Sequence, residues 1–292
     1  MTIHDPVLPA LKSAEVARPE WLEILRALLR SKTFLVGLSI VLFWTLCALF
    51  WPLIVPYDPQ ALNAANTFQP PSAEHWFGTD DFGRDVFSRV LAGAAPVFAT
   101  APAATALGIL GGLLLGMTAA LCGGWVDAAI MRFVDALLAF PLLIFAIAVL
   151  AVVGGSALNV ILVIGLAFAP NIARTIRSAV LEEQEKEYVA AAHLLGNSLA
   201  AIAVREILPN IWPVVTVEAT VRLGYAIFAS ATLSFLALGL QQPSPDWGLT
   251  IALGRGYVQY AAWMVLFPAA ALATLVVGVN LLADGLRDVL EE

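Results

Sequence analysis

The sequence ALLAFPLLIFAIAVLAVVGGSALNVILVIGLAFAPNIA occupies residues 136–173 and contains no Asp, Glu, Lys or Arg. A helix needs about 20 apolar residues to cross the roughly 30 Å of hydrocarbon in a bilayer, so this stretch is too long for one span. Gly154, Gly155, Ser156 and Asn159 lie near its middle and predict a break. The stretch therefore predicts a hairpin of two membrane-spanning helices.

Four more apolar runs extend this pattern on both sides of the hairpin. They cover residues 33–57, 90–126, 211–240 and 256–283. The composition agrees, because 60% of the residues are hydrophobic and 13% are charged, whereas a soluble domain carries about 25% charged residues. We predict an all-α integral membrane protein with six transmembrane helices, and we exclude a soluble, disordered or nucleic-acid-binding protein.

Basic residues gather on one side of the predicted spans. With six spans both termini share a side, and eleven of the fifteen Lys and Arg residues fall on it. These are Lys12, Arg18, Arg26, Arg30, Lys32, Arg132, Arg174, Arg177, Lys186, Arg205 and Arg287. Because basic residues favour the cytoplasmic side, we predict a multi-pass protein of the inner (cytoplasmic) membrane with both termini in the cytoplasm.

This orientation divides the chain into four parts. They are a cytoplasmic N-terminal segment at residues 1–33, a first span at 34–56, a periplasmic loop at 57–89 and a five-span core at 90–292. Residues 19–30 predict an amphipathic helix, which lies either in the inner membrane interface or in solvent. Within the core, a cytoplasmic loop at 178–209 joins the fourth and fifth spans and is too long for a simple connector.

The chain lacks the motifs of a self-sufficient enzyme. A phosphate-binding loop needs a glycine before its lysine, and none of Lys12, Lys32 and Lys186 follows one. The sequence contains no HExxH, GxSxG or GxGxxG motif, and its two cysteines and three histidines form no metal-binding pattern. We read the acidic cluster of Glu182, Glu183, Glu185 and Glu187 as a solvated helix face, and we expect no ATP hydrolysis by this chain alone.

Within the cytoplasmic loop, residues 187–196 predict a short helix that ends at Gly196-Asn197. Tyr188, Ala192 and Leu195 form a stripe along it, which suits a groove on a partner but also suits packing on the chain's own spans. A second helix is predicted from residue 199 to residue 207, ending at Leu208-Pro209. The residues alone leave both alternatives open.

This loop resembles the EAA loop of ABC importer permeases. The family pattern is Glu-Ala-Ala, three residues, Gly, nine residues, Ile, one residue and Leu-Pro. Ala190-Ala191-Ala192, Gly196 and Leu208-Pro209 match it in register, while Ala190 replaces the Glu and Glu206 replaces the Ile. The resemblance implies a coupling helix that docks on an ATPase. Its docking residues would be Glu187, Tyr188, Val189, Ala190, Ala191, Ala192, His193, Leu195 and Gly196.

The periplasmic loop carries a second match, HWFGTDDFGRDVFSR at residues 75–89. It is similar to the LGTDxxGRDxxSR signature of the C-type permease of dipeptide, oligopeptide and nickel importers. The motif positions are Gly78, Thr79, Asp80, Gly83, Arg84 and Asp85. We expect Thr79 to cap a helix that carries Arg84 and Arg89, and this helix could instead only brace the second span. Residues 233–248 and 280–288 also resemble the family's pattern.

The resemblance implies an assembly with the type I fold of ABC importer transmembrane domains. This chain would sit in membrane lipid beside a homologous second permease, above two ATPase subunits or domains and below an extracytoplasmic substrate-binding protein. ATP and Mg would be bound by the ATPase partners, and this chain would bind no cofactor. Peptides are the commonest cargo of the resembled group, while nickel complexes, opines and glutathione-like solutes remain alternatives.

Two other classes of protein are weighed against this one. A self-contained secondary transporter predicts matching broken helices in two halves of the chain, and we see no such repeat. A membrane enzyme predicts paired acids or a His and Ser site within the spans. Glu218 and Arg222, one helical turn apart in the fifth span, are expected to form an intramembrane ion pair, either structural or in contact with substrate.

Overall fold

The computed structural model describes residues 26–291, and its regular elements are helical. Residues 26–30 are helical, and the remainder of the amphipathic helix predicted at 19–30 lies outside the described residues. The main helices are α1 Lys32–Ile54, α2 Val86–Ala92, α3 Ala94–Cys122, α4 Gly124–Leu138, α5 Leu142–Val153, α6 Ala157–Gln184, α7 Glu187–Leu194, α8 Trp212–Phe235, α9 Trp247–Gly254 and α10 Trp263–Glu291.

The candidate membrane spans are single long helices and one bent pair of helices. Five helical stretches are long and apolar enough to span a bilayer, with α2 and α3 counted together as Val86–Cys122. The pair α4 and α5, which is bent by 84°, meets the same criteria only when its two helices are taken together, and it is the candidate for a sixth span. The break predicted near Gly154 and Ser156 is confirmed, because α5 ends at Val153 and α6 begins at Ala157. The first helix of the predicted hairpin starts later than residue 136, because residues 136–138 complete α4. Pro141 lacks an amide hydrogen to continue that helix, and α5 begins at Leu142.

Contacts near the two ends of the helical bundle show which helix ends lie together. At one end, the indole of Trp263 donates to the carbonyl of Thr79 at 3.0 Å, and that of Trp247 to the carbonyl of Val90 at 2.8 Å. The α5–α6 hairpin reaches this same end, since Gly155 packs against the carbonyl of Gly239. At the other end, Gly285 packs against the backbone of Phe34. With the bent pair counted as one span, the described residues contain six candidate spans.

The centre of the bundle is the contact between α3 and α6. Glycines on α3 let the two backbones approach, and a Cβ atom placed on Gly112 would lie 2.3 Å from Cγ2 of Ile172. Gly116 faces the carbonyl of Ala173 in the same way. Close approach of small residues is the usual means of packing helices in a membrane. The α3–α6 pair thus provides the rigid frame from which the cytoplasmic end of α6 projects.

Candidate functional site

Helix α7, Glu187–Leu194, is a short, well-bounded helix that follows α6 at the end of the bundle predicted to be cytoplasmic. It ends in a Schellman motif, in which Gly196 N–H donates to the carbonyl of His193 at 3.0 Å and Asn197 N–H to that of Ala192 at 3.2 Å. Gly196 has φ of +78°, which favours glycine. The stop predicted at Gly196-Asn197 is confirmed.

Two kinds of contact hold α7 against the rest of the chain. Val189 and Ala192 are buried against the helical segment that follows α7. Glu183, near the end of α6, accepts hydrogen bonds from the hydroxyl of Tyr188 and from Nζ of Lys186, the latter at 2.7 Å. Burial and the neighbouring Glu183 carboxylate raise the pKa of Tyr188 to about 12. The hydroxyl therefore stays protonated and keeps α7 tied to α6.

Glu183 corrects the prediction that the acidic cluster is a solvated face. Its neighbours Glu182 and Glu185 are exposed as predicted, but Glu183 is only 6% exposed. The sequence does not show this, because its partners Lys186 and Tyr188 lie beyond the helix break at Glu185 and reach back to it. Glu183 was the residue missed in the prediction of this site.

The exposed face of α7 differs from the predicted stripe. The residues alone leave two alternatives open for the stripe of Tyr188, Ala192 and Leu195. Packing on the chain itself holds for two of its members, because Ala192 is buried within the chain and Tyr188 is tied to Glu183. The free apolar side chains are Leu194, 90% exposed, and Leu195, 81% exposed. Glu187, Ala190, Ala191 and His193 are exposed beside them. The helix thus presents two adjacent leucines to the surroundings of the isolated chain.

The segment after α7 is a continuous helical run with a π-helical centre. It comprises Leu199–Ala201, the π-helix Ile202–Ile207 and Leu208–Asn210. The predicted end at Leu208-Pro209 is wrong, because the helical run continues through Pro209 to Asn210. Ile202 and Ile207 are fully buried, so the run is fixed to the body of the protein.

The periplasmic motif folds as a tight turn before a helix. Asp80 accepts from the amides of Phe82 and Arg84, each at 2.9 Å, and from Nε of Arg84 at 2.6 Å. Gly83 completes the turn with φ of +70°. The prediction that Thr79 caps the helix is wrong, since its hydroxyl serves Asn66 and Gln69 within the loop. Arg84 consequently lies in the turn and not on the helix.

Asp85 is the actual cap of α2. Its carboxylate accepts from the amide of Ser88 at 2.7 Å and lies 2.9 Å from Nδ1 of His75. Arg89, on the helix, donates to the carbonyls of Pro59 and Ser244, each at 3.0 Å. Side chains of the motif are thus used in internal contacts that join the periplasmic loop to the segment before α9. This geometry favours a bracing role over a freely offered binding surface.

Ion pairs lie where the spans approach the cytoplasmic end. Nε of Arg222 donates to Glu218 at 2.8 Å, and Arg177 donates to Asp127 with two nitrogens at 2.6 and 2.5 Å. These pairs are largely covered by the chain. A third pair, formed by Arg174 and Asp135, is exposed. Within residues 26–291 no group of three or more His, Cys, Asp or Glu side chains is arranged to hold a metal ion.

Comparison with curated proteins gives relatives along nearly the whole chain. The dipeptide transport system permease protein DppC of Alkalihalophilus pseudofirmus is 38% identical over 98% of this chain and 94% of its own. The probable D,D-dipeptide transport system permease protein DdpC of Escherichia coli is 39% identical over 86% of this chain and 85% of its own. The glutathione transport system permease protein GsiD of Shigella flexneri is 38% identical over 97% and 94%.

A solved structure shares the fold. In the inward-facing MetNI methionine ABC transporter, one chain superimposes with a TM-score of 0.58 at 20% identity, covering 69% of this chain and 96% of that one. The agreement confirms the predicted type I importer fold.

Family descriptions match both parts of the sequence. Residues 20–71 match the N-terminal transmembrane domain of oligopeptide transport permease C. Residues 108–292 match the binding-protein-dependent transport system inner membrane component. Together with relatives of 38% identity over almost the full length, this match identifies the chain as a member of the binding-protein-dependent transport system inner membrane component family, the multi-pass permeases of ABC importers.

Proposed function

We propose that this chain forms one half of the translocation pathway of an ATP-driven importer of short peptides, with a homologous permease as the other half. The names of its relatives support a peptide cargo, because they refer to dipeptides, D,D-dipeptides and glutathione, itself a short peptide. A substrate-binding protein would deliver the peptide at the periplasmic end. Two ATPase subunits or domains would bind ATP and Mg below the cytoplasmic end.

The observation that carries this proposal is the shape of α7. Its leucines Leu194 and Leu195 are exposed, while its opposite side is fixed to the chain by Val189, Ala192 and the Glu183–Tyr188 hydrogen bond. Exposed adjacent apolar side chains on a rigid helix fit a groove on a partner protein. The residues that would dock are Glu187, Ala190, Ala191, His193, Leu194 and Leu195, with Gly196 ending the helix.

The anchoring of α7 explains how motion would be passed on. A displacement of α7 by the ATPase acts on α6 through Glu183 and on α8 through the helical run at 199–210. Both spans continue into the membrane, so closure of the ATPases would shift the population between inward-facing and outward-facing states. This chain would perform no chemistry in the cycle.

The test is co-purification of the ATPase subunits with permease variants. We expect the double substitution Leu194→Asp with Leu195→Asp to lower the recovered ATPase about tenfold or more, since it places two charges in an apolar contact. Leu62→Asp, at an exposed leucine of the periplasmic loop, is the matched control and should leave recovery unchanged. Equal recovery from the double variant and wild type would overturn the docking role of α7.

A further inference from the structure

The Asp135–Arg174 ion pair is placed unusually for a charged pair in a membrane protein. Arg174 Nη2 lies 2.5 Å from Asp135 Oδ1, yet the two side chains are 60% and 58% exposed. Residues 157–173 of α6 are uncharged and, at 1.5 Å per residue, cover roughly 25 Å. Because the hydrocarbon layer is about 30 Å thick, a span that begins at residue 157 would place Arg174 near the inner boundary of this layer.

Exposure of this pair to lipid tails would be costly. A charged side chain inside the bilayer faces a water-filled cavity or a partner, because hydrocarbon cannot solvate it. In the pairs Asp127–Arg177 and Glu218–Arg222, neighbouring parts of the chain shield most of the charged side chains from lipid. Asp135 and Arg174 lack that cover, so the surface on which they lie faces water or protein in the assembled transporter.

A cavity of about 430 Å³ opens beside Arg174, between the bend of α4 and α5 and the middle of α6. Phe140, Phe145 and Leu166 form apolar walls, and Asn171 adds an amide that has no hydrogen-bond partner among the described residues. Ligand pockets of this kind commonly enclose about 300–1,000 Å³ and combine apolar walls with a few polar groups. The cavity is therefore of a size and composition suited to a small solute.

We propose that this cavity, together with the ion pair at its edge, is a contact site for the transported peptide. Arg174 and Asn171, which line the cavity, bind the terminal carboxylate and a peptide amide, and Asp135, which lies outside the lining and is paired with Arg174, binds the terminal ammonium. The inference rests on the proposed peptide cargo. A zwitterion can replace the ion pair one charge for one charge, so neither side chain is left uncompensated as it enters. The apolar walls would then accept peptide side chains of different sizes.

The first experiment measures water access and protection at Asn171. In the assembled transporter, with the native cysteines replaced by Cys47→Ala and Cys122→Ala, Asn171→Cys is treated with a charged, membrane-impermeant methanethiosulfonate from the cytoplasmic side. We expect Asn171→Cys to react and a dipeptide to slow the reaction. Leu114→Cys, at an exposed leucine of α3 outside the cavity, is the control and should not react.

The second experiment measures substrate preference in proteoliposomes that contain the whole transporter and its binding protein. Uptake of a dipeptide, of its C-terminal amide and of its N-acetyl derivative is measured for each variant and for wild type. Each uptake ratio of a variant is divided by the same ratio of wild type, which removes the preferences of the binding protein. We expect Arg174→Gln to lower the dipeptide-to-amide ratio about tenfold, as loss of a charge-assisted hydrogen bond predicts. Asp135→Asn should lower the dipeptide-to-acetyl ratio similarly.

The matched controls are Asp127→Asn and Arg177→Gln, which alter a neighbouring ion pair outside the cavity and should leave both ratios unchanged. The proposal is overturned if the variants lose uptake equally for all three substrates and if peptide does not change the labelling of Asn171→Cys. That result would assign the ion pair to a structural latch or to a lipid headgroup contact. If the wild-type transporter moves no dipeptide at all, the peptide cargo itself is wrong, which is a different result from unchanged ratios beside active uptake.

Discussion

Glu183 illustrates how one carboxylate can fix the position of a functional helix. It is buried at the end of α6, and it receives hydrogen bonds from both Lys186 and Tyr188 across the break between α6 and α7. A charged acceptor in such a network is worth more than a neutral one, because its hydrogen bonds are charge-assisted. The orientation of Leu194 and Leu195 therefore depends on a residue that does not itself reach the surface.

Replacing this carboxylate should loosen α7 without changing its sequence. We expect Glu183→Gln to destabilise the protein by about 1–2 kcal/mol and lower its melting temperature by about 2–4 °C. Peptide uptake should fall with it, and the pKa of Tyr188 should move from about 12 toward its usual value of 10. Thermal unfolding of the purified transporter measures the first effect. Glu182→Gln, at the exposed neighbour, should change nothing, and equal melting temperatures for both variants would contradict the anchoring role of Glu183.

The roles of some single residues could not be predicted from the sequence. Thr79 and Asp85 are both good helix caps by residue type, and the choice between them depends on Asp80, whose carboxylate closes the turn through Arg84. The burial of Ala192 could not be predicted either, because it depends on the segment that follows α7. These features arise from contacts between parts of the chain, whereas cap and stop signals are local.

At the scale of elements, the sequence predicted the apolar spans well. Each predicted run contains a helix, since about 20 apolar residues have no other stable arrangement in hydrocarbon. Bends were harder to predict. Pro141 signals a helix end, but the 84° angle between α4 and α5 depends on how both pack against α6. The π-helix at Ile202–Ile207 likewise has no sequence signature of its own.

The α3–α6 contact gives a prediction about helix packing. We expect Gly112→Ala to destabilise the protein by about 1–3 kcal/mol, because the new Cβ would lie 2.3 Å from Cγ2 of Ile172. Gly111→Ala is the control on the same helix, where the nearest contact is 3.0 Å, to the side-chain Cβ of Ala169. Melting temperatures of the two variants provide the comparison. If Gly111→Ala lowers the melting temperature as much as Gly112→Ala does, the close contact between Gly112 and Ile172 is not what limits the packing of α3 on α6.

For the molecule as a whole, charge distribution and helix contacts both fit six passes, with the bent pair α4 and α5 counted as one. Arg84, Arg89 and Arg255 share the end that holds the periplasmic loop, and α7 projects from the opposite end. The positive-inside rule then assigns α7 to the cytoplasm. The proposed function requires this arrangement, because the peptide would arrive at one face and the ATPases would bind at the other.

Labelling of single cysteines in intact cells checks the orientation. In the variant without Cys47 and Cys122, we expect Leu62→Cys to react with an impermeant maleimide from outside. Leu194→Cys should react only after the membrane is permeabilised, since it lies at the opposite end of the helical bundle. Each position serves as the control for the other. Labelling of Leu194→Cys in sealed cells would reverse the assigned topology.

The central claim is that energy enters this permease from a separate ATPase through α7. Cross-linking tests it most directly. With Leu195→Cys in the cysteine-free chain, assembled with all its partners, a short bifunctional thiol reagent should produce an adduct with an ATPase subunit that carries one cysteine in its permease-facing groove. The account predicts that this adduct forms and that it blocks ATP-driven uptake. Absence of the adduct while the transporter remains active, or uptake by the purified chain alone under an ion gradient, would contradict it.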